Sequence, residues 1–321
     1  MVRLRGGSAT GAAAGVAVAA LATVVIAAMG ACSSSKSTAT TPTSAAAPSA
    51  TLTVVAAENF WGSIAGQLGG THVKVTSIIS SPDTDPHAYE PTTADARTVA
   101  TAQYVIVNGI GYDPWAPKLL AAQPASGRKV LTVGDLVGVK EGGNPHRWYS
   151  PPDVTKVIDQ ITSDYKALDA GDASYFEQQH STFLSSGLAR YKSLIADIKS
   201  KYAGTPVGAS ESIFAPMADA LGLKLLTPPS FLRAISEGSD PTAADKATID
   251  GQIKGHQIKV YVFNSQNSTP DVAAQVAEAK AAGIPTTTIT ETLIPQTGTF
   301  QDWQANQLQT LGQTLAQAKG K

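Results

Sequence analysis

The chain has 321 residues, of which 43% are hydrophobic and 15% charged, and its formal net charge is −1. This is the composition of a soluble globular protein; with no excess of positive charge and no Lys/Arg cluster, it lacks the electrostatic footprint of a nucleic-acid binder. The single cysteine excludes an internal disulfide.

The first elements precede the fold. Arg3 and Arg5 make a basic start, Ala12 to Ala28 is an apolar alanine/valine run, and Met29-Gly30-Ala31 brings small residues up to Cys32. Residues 1–31 therefore read as an export signal. A membrane anchor is the competing reading, but alanine is weakly apolar and no basic stop-transfer cluster follows. A lone cysteine directly after such a segment matches a lipoprotein signal, in which Cys32 becomes the acylated mature N-terminus. Residues 32–50 are Ser, Thr, Ala and Pro with one lysine, a composition that buries no core and serves as a tether.

From Thr51 the chain is long enough for one bilobed fold. Strand-like runs at Leu52-Val55, Val73-Ile79, Tyr104-Val107 and Lys129-Thr132 alternate with helix-like stretches, which predicts a mainly parallel sheet flanked by helices over 51–171. Between Asp172 and Tyr202, Phe176, Phe183, Leu184, Leu188, Tyr191, Ile195, Ile198 and Tyr202 recur at helical intervals. This predicts one rigid linking helix over 172–203, about 40 Å long, with a capping box at Ser174 to Glu177 and a stop at Gly204. A second α/β lobe follows over 204–321, with strands at Val207-Ala209, Lys224-Leu226, Lys259-Phe263 and Thr286-Thr290. A last helix runs from Phe300 to Ala318, with Trp303, Leu308, Leu311 and Leu315 inward. No phosphate-binding glycine motif accompanies either series, so nucleotide binding has no support.

Three loops carry chemistry. Ser81-Pro82-Asp83-Thr84-Asp85-Pro86-His87-Ala88-Tyr89-Glu90-Pro91-Thr92 sits between a strand and a helix, where open α/β folds place ligands. The flanking prolines restrict the backbone and present His87 in one geometry, as a metal ligand requires. The same stretch is equally readable as a surface turn with a solvated histidine. A second Pro-His step lies in Gly142-Gly143-Asn144-Pro145-His146-Arg147-Trp148, and Ala209-Ser210-Glu211-Ser212-Ile213-Phe214 puts a carboxylate just after a strand. His180 falls beside the stripe of the linking helix and reads as a packing or surface histidine.

Taken in order, Asp-Pro-His-Ala-Tyr-Glu-Pro-Thr, Asn-Pro-His-Arg-Trp and Ser-Glu-Ser-Ile-Phe resemble the metal-binding loops of the zinc/manganese solute-binding lipoproteins of ABC importers. The resemblance extends over the mature chain, including Val107 to Trp115 and Ala282-Gly283-Ile284-Pro285. It implies two lobes bridged by a helix, with His87, His146 and Glu211 holding a zinc or manganese ion in the cleft. It further implies a monomeric, lipid-anchored protein on the outer face of the cytoplasmic membrane, partnered by a permease and its cytoplasmic ATPase. Neutral imidazole suits several transition metals, and the Glu211 carboxylate leans the set toward manganese. Where family members that bind manganese carry an aspartate, this chain reads Val262-Phe263-Asn264-Ser265-Gln266-Asn267. The fourth position is then an amide oxygen from Asn267, a water, or open. Glu90 and Asp113 are candidate partners for a ligand imidazole, with Asn108 a polar neighbour; Glu90 as a helix cap and Asp113 as a turn former are the alternatives. Trp115 and Trp148 read as loop packing. Two other classes remain: a zinc-dependent hydrolase, for which no His-Glu-x-x-His is present, and a surface adhesin or structural lipoprotein.

If Cys32 is the acylation site, Cys32→Ala releases the protein from membranes or leaves the precursor unprocessed in cell fractionation. A processed variant that still sediments with membranes contradicts the lipoprotein reading.

Overall fold

β-Branched runs in this chain are short and apolar on both faces, which suits strands covered by helices on either side. The computed structural model describes residues 51–267 and 269–319; the expected signal, the tether and Cys32 lie outside them. The first lobe runs β1 (Leu52–Glu58), α1 (Asn59–Gly69), β2 (Val73–Ile79), α2 (Thr93–Ala100), β3 (Tyr104–Val107), α3 (Trp115–Ala122), β4 (Lys129–Thr132) and α4 (Val133–Val137). Its strands pair in parallel in the order β2-β1-β3-β4. Alternation along β1 divides two cores: Leu52, Val54 and Ala56 enter one, and Val55 and Ala57 the other.

Helices α5 (Pro151–Leu168), α6 (Ala173–Thr182) and α7 (Ala189–Tyr202) lead to the second lobe. That lobe is built from β5 (Pro206–Ala209), α8 (Ala215–Leu221), β6 (Lys224–Leu225), α9 (Pro229–Ser236), α10 (Ala243–Lys254), β7 (Val260–Asn264), α11 (Pro270–Ala281), β8 (Thr286–Ile289) and α12 (Phe300–Lys319). Its order, β6-β5-β7-β8, is also parallel and repeats the first-lobe pattern of second, first, third, fourth strand. The predicted two parallel sheets flanked by helices are thus what the chain forms.

The linking segment differs from a single rigid helix. Between α6 and α7 lies a π-helical turn, Phe183–Gly187, closed by the Leu188 N–H donating to the Phe183 carbonyl at 2.9 Å. The spacing of the stripe explains it. Phe176 and Phe183 are seven apart, as are Tyr191 and Ile198, but Phe183 and Leu188 are five apart, and all five are buried. One wide turn restores the phase so that both halves face the core. Gly187 makes room for it, since a Cβ there would come within 2.9 Å of the Phe183 ring. The expected capping box is absent too. Asp172 occupies the cap position and turns its carboxylate to His72 Nδ1 (2.5 Å), while Glu177 accepts from Lys166 Nζ (2.6 Å). The predicted stop holds: α7 ends at Tyr202, and Gly204 follows with φ +82°.

A second bridge was not anticipated. Helix α12 packs on α7 and also reaches α1 of the first lobe, where the Phe300 N–H donates to Ser63 Oγ (2.9 Å) and the Gln301 and Gln67 carboxamides exchange bonds at 2.6 and 3.0 Å. Trp303 meets the Tyr149 ring edge-on at 5.9 Å. One core cluster consequently runs from Leu52 to Leu315.

Phe176, fully buried against Tyr165 and His72, is distant in sequence from every candidate donor. Phe176→Ala is expected to cost about 3–5 kcal/mol of stability in denaturant unfolding while the folded variant binds metal as the wild type does.

Candidate metal site

Each sheet reverses its strand order beside its first strand, the crevice where open α/β sheets hold ligands at their carboxyl ends. The loops leaving β2, β5, β7 and β8, with the segment after α4, line two adjoining recesses. One recess of about 910 Å³ is bordered by Asp83, Asp85, His87, Glu211, Gln266, Asn267 and Glu291. A neighbouring recess of about 790 Å³ also reaches His87, together with Asn144, Ser212 and Arg233.

His87 is positioned by its own loop. Its N–H donates to Asp85 Oδ1 (2.9 Å), an Asx turn that the Asp-Pro-His order makes possible. The ring meets Tyr112 edge-on at 4.9 Å, and Nε2 is shielded from solvent with no hydrogen-bond partner among the described residues. The loop is closed at its far end by Thr92 and Asp95, which form a reciprocal cap on α2, with Tyr89 donating to the same Asp95 carboxylate (2.8 Å). Glu90 is therefore neither the cap nor a partner to the imidazole: it is exposed, and Thr92 and Asp95 hold the turn.

His146 is almost completely buried. Its ring Nδ1–H donates to Asn144 Oδ1 (2.8 Å), and the same oxygen accepts the His146 backbone N–H (3.0 Å). This selects the tautomer that leaves Nε2 free to coordinate. Asn144 Nδ2 crosses to the second lobe and donates to the Ser212 carbonyl (2.6 Å). The expected imidazole partners were carboxylates, and the structure supplies an amide in place of them. Asn108, fully buried, accepts from Trp61 Nε1 (3.1 Å) and donates to the Pro145 carbonyl (3.0 Å), fastening the residue before His146. Asp113 touches neither imidazole; it accepts the backbone N–H groups of Asn108 (2.8 Å) and Gly109 (2.7 Å), its turn-forming alternative. Trp148 stacks on Phe60 at 3.9 Å and packs the loop, as read from the sequence.

From the second lobe, Glu211 follows β5 with Oε2 accepting from Asn264 Nδ2 (3.2 Å) and Oε1 buried without a partner. Facing it is a residue the motif reading missed. Glu291, two residues beyond β8, brings Oε1 to 3.5 Å from His146 Nε2 and Oε2 to 3.5 Å from the Asn264 amide. Asn267 also lines the cleft. The sequence signal for Glu291 is the carboxylate in Thr290-Glu291-Thr292, just after the last strand. His180 pairs with Asp159 on α5 (2.7 Å), a surface contact as expected.

The carboxyls in this corner are unequal. Burial and the nearby Glu291 charge push Glu211 up to about 8. Burial would raise Glu291 as well, but the hydrogen bond and charge of His146 outweigh it and bring Glu291 below the usual carboxylate range. Burial lowers His146, against the pull of Glu291. Among the described residues no three histidine, cysteine or carboxylate side chains are close enough to hold an ion as they stand; the donors line a shared cleft and are not drawn into a cage.

The family model described as zinc-uptake complex component A, periplasmic (ZnuA), matches residues 54–314. The chain belongs to this family. Among its relatives, the manganese-binding lipoprotein MntA of Bacillus subtilis is 25% identical over 242 residues, 72% of this chain and 77% of that protein. The zinc-binding lipoprotein AdcA of Streptococcus pneumoniae is 24% identical over 243 residues, 68% of this chain and 46% of AdcA. The match to MntA of Halalkalibacterium halodurans spans 45% of that relative's length. The solved Mn-bound periplasmic metal-binding protein of Candidatus Liberibacter asiaticus shares the fold at TM-score 0.69 and 22% identity, over 82% of this chain and 99% of that one.

Behind the cleft of this ZnuA-family chain lies a second pair of buried carboxyls. Glu58 ends β1 with no exposure, against Asp113. Burial first, and Asp113 second, hold the Glu58 carboxyl well above its usual range. Asp113 is raised by burial and restrained by its two backbone N–H donors. The proton of this pair accordingly resides on Glu58. Folded Glu58 binds a proton that the unfolded chain releases above its ordinary pKa of about 4.5. Its contribution to stability is therefore full below that value and declines as pH rises, by at most about 1.4 kcal/mol per pH unit. Glu58→Gln, which keeps a donor for Asp113, should flatten the decline in denaturant unfolding of the metal-free protein between pH 5 and pH 8. Equal slopes in both proteins would show that Glu58 ionises freely.

Proposed function

We propose that this protein captures a divalent transition-metal ion outside the cytoplasmic membrane and delivers it to an ABC importer composed of a permease and a cytoplasmic ATPase. The observation that carries the reading is the donor set: His87 and His146 from one lobe face Glu211 and Glu291 from the other across one cleft. Among the described residues no lysine or arginine lines that recess. With the Glu211 proton released on binding, two neutral imidazoles and two carboxylates carry two negative charges, the complement of a divalent cation. Buried carboxylates without a counter-charge are costly, so the cation supplies the missing partner.

Two oxygen donors favour manganese or ferrous iron more than three imidazoles would, while the Irving–Williams order keeps zinc a strong competitor. Relatives named for manganese, zinc and iron binding fit that range. The fourth donor also separates capture from hydrolysis: Glu291 stands where a hydrolytic zinc would keep a position open for water. The lipid anchor at Cys32 and the Ser/Thr/Ala/Pro tether belong to the same reading, leaving a monomeric binding domain within reach of the permease.

The test is metal content after purification without added metal or chelator, followed by competitive titration of zinc and manganese. His146→Ala and Glu291→Ala should each weaken binding by about 100-fold or more, beyond the 10- to 100-fold typical of losing an outer-shell partner. Glu211→His should raise the preference for zinc over manganese. Affinity should fall as pH drops below about 8, because the ion must displace the proton that burial and the Glu291 charge hold on Glu211. Wild-type affinity in both alanine variants would sink the reading.

A further inference from the structure

The turn after β7 supplies no carboxylate to the cleft, yet one of its side chains is fully engaged there. Gln266 Oε1 accepts the backbone N–H of Glu291 (2.5 Å) and of Thr292 (3.0 Å). Gln266 Nε2 donates to Thr292 Oγ1 (2.8 Å) and, across the cleft, to the carbonyl of Pro82 (2.9 Å). These four bonds use the whole capacity of a carboxamide. The two N–H groups on one side and the carbonyl on the other leave one orientation of the amide that satisfies all partners. The turn itself is braced by the Gln266 N–H donating to Asn264 Oδ1 (3.0 Å).

We propose that Gln266 is a positioning residue that clasps the Glu291 loop of the second lobe to the His87 loop of the first, and thereby sets how fast a bound ion leaves. The inference rests on the metal-capture reading of the cleft. Pro82 and His87 lie in one loop, five residues apart and pinned within it by the Asx turn at Asp85. Glu291 is held through its own backbone, so the clasp acts on donors from both lobes at once. Asn59 joins the same two loops from below, with Oδ1 accepting the Leu293 N–H (3.4 Å) and Nδ2 donating to the Ser80 carbonyl (3.3 Å). Those two bonds are longer, which leaves Gln266 as the tighter fastening. The amide is neutral, so it restrains the loops without offsetting the negative charge that attracts the ion. An ion held by donors from two lobes escapes when the loops part, and weakening the clasp therefore acts mainly on release.

The experiment is stopped-flow release of manganese and of zinc to a chelator, with equilibrium titration, for wild type, Gln266→Met, Gln266→Ala and Gln266→Glu. Met keeps the length and loses every hydrogen bond; Glu keeps the two acceptor bonds to the Glu291 and Thr292 N–H groups and loses the donor bonds. Affinity in the Met and Ala variants should fall by about 10- to 100-fold, chiefly through faster release, with Glu intermediate. Unfolding of the metal-free proteins serves as the control, since a merely structural role lowers stability and leaves release unchanged. Wild-type release rates in Met and Ala would overturn the clasp. His146→Ala and Glu291→Ala run alongside: if they bind like the wild type, the metal site itself fails, and if they lose binding while the Gln266 variants behave normally, only the clasp does.

Discussion

Two glutamates brought to one buried corner without a basic residue between them constrain everything else in this molecule. Glu211 and Glu291 repel, and burial removes the water that would screen them. The chain resolves this by leaving a proton on Glu211 and by turning the amide of Asn264 toward both carboxyls. Such an arrangement is poised. On the proposed reading a divalent cation would displace that proton and pair with both carboxylates, and among the described residues no lysine or arginine lines the recess to do so instead.

The supports around that corner are nearly all carboxamides. Asn144 sets the tautomer of His146, Asn108 fastens Pro145, Asn264 bridges the two glutamates, and Asn59 and Gln266 tie loops from opposite lobes. An amide donates and accepts at once and carries no charge. Using it for scaffolding fixes geometry while leaving the electrostatic deficit of the cleft intact. Acidic side chains at the rim, Asp83, Asp85 and Glu237, extend that negative field toward solvent, where it draws cations inward.

Much of this was readable from residues alone because periodicity reports local structure directly. The strand runs from Val73 and Tyr104 and the inward face of the last helix coincide with the folded elements, and the three candidate donors His87, His146 and Glu211 stand out because Pro-His steps and a post-strand carboxylate are local signals. What escaped was non-local or a matter of phase. The five-residue gap from Phe183 to Leu188 encodes the π-helical turn, but it is hidden within an otherwise regular stripe. Glu291 carries no motif of its own; it is recognisable only once β8 is known to lie beside β7, so that the loops leaving both strands open into one cleft. Asp113 and Glu90 were weighed as imidazole partners because carboxylates are the usual ones, whereas the Asn two residues before His146 was already within reach of the ring.

The return of α12 to the first lobe has a consequence for how the protein is made. Phe300 closes against Tyr191 and donates its N–H to Ser63, and the shared core ends only at Leu315. The first lobe is thus missing part of its wall until the final helix has been synthesised. The core on one face of the first sheet is complete within residues 55–120, whereas the core on its other face closes only when α12 has been made, so the two faces of one sheet are finished at different times.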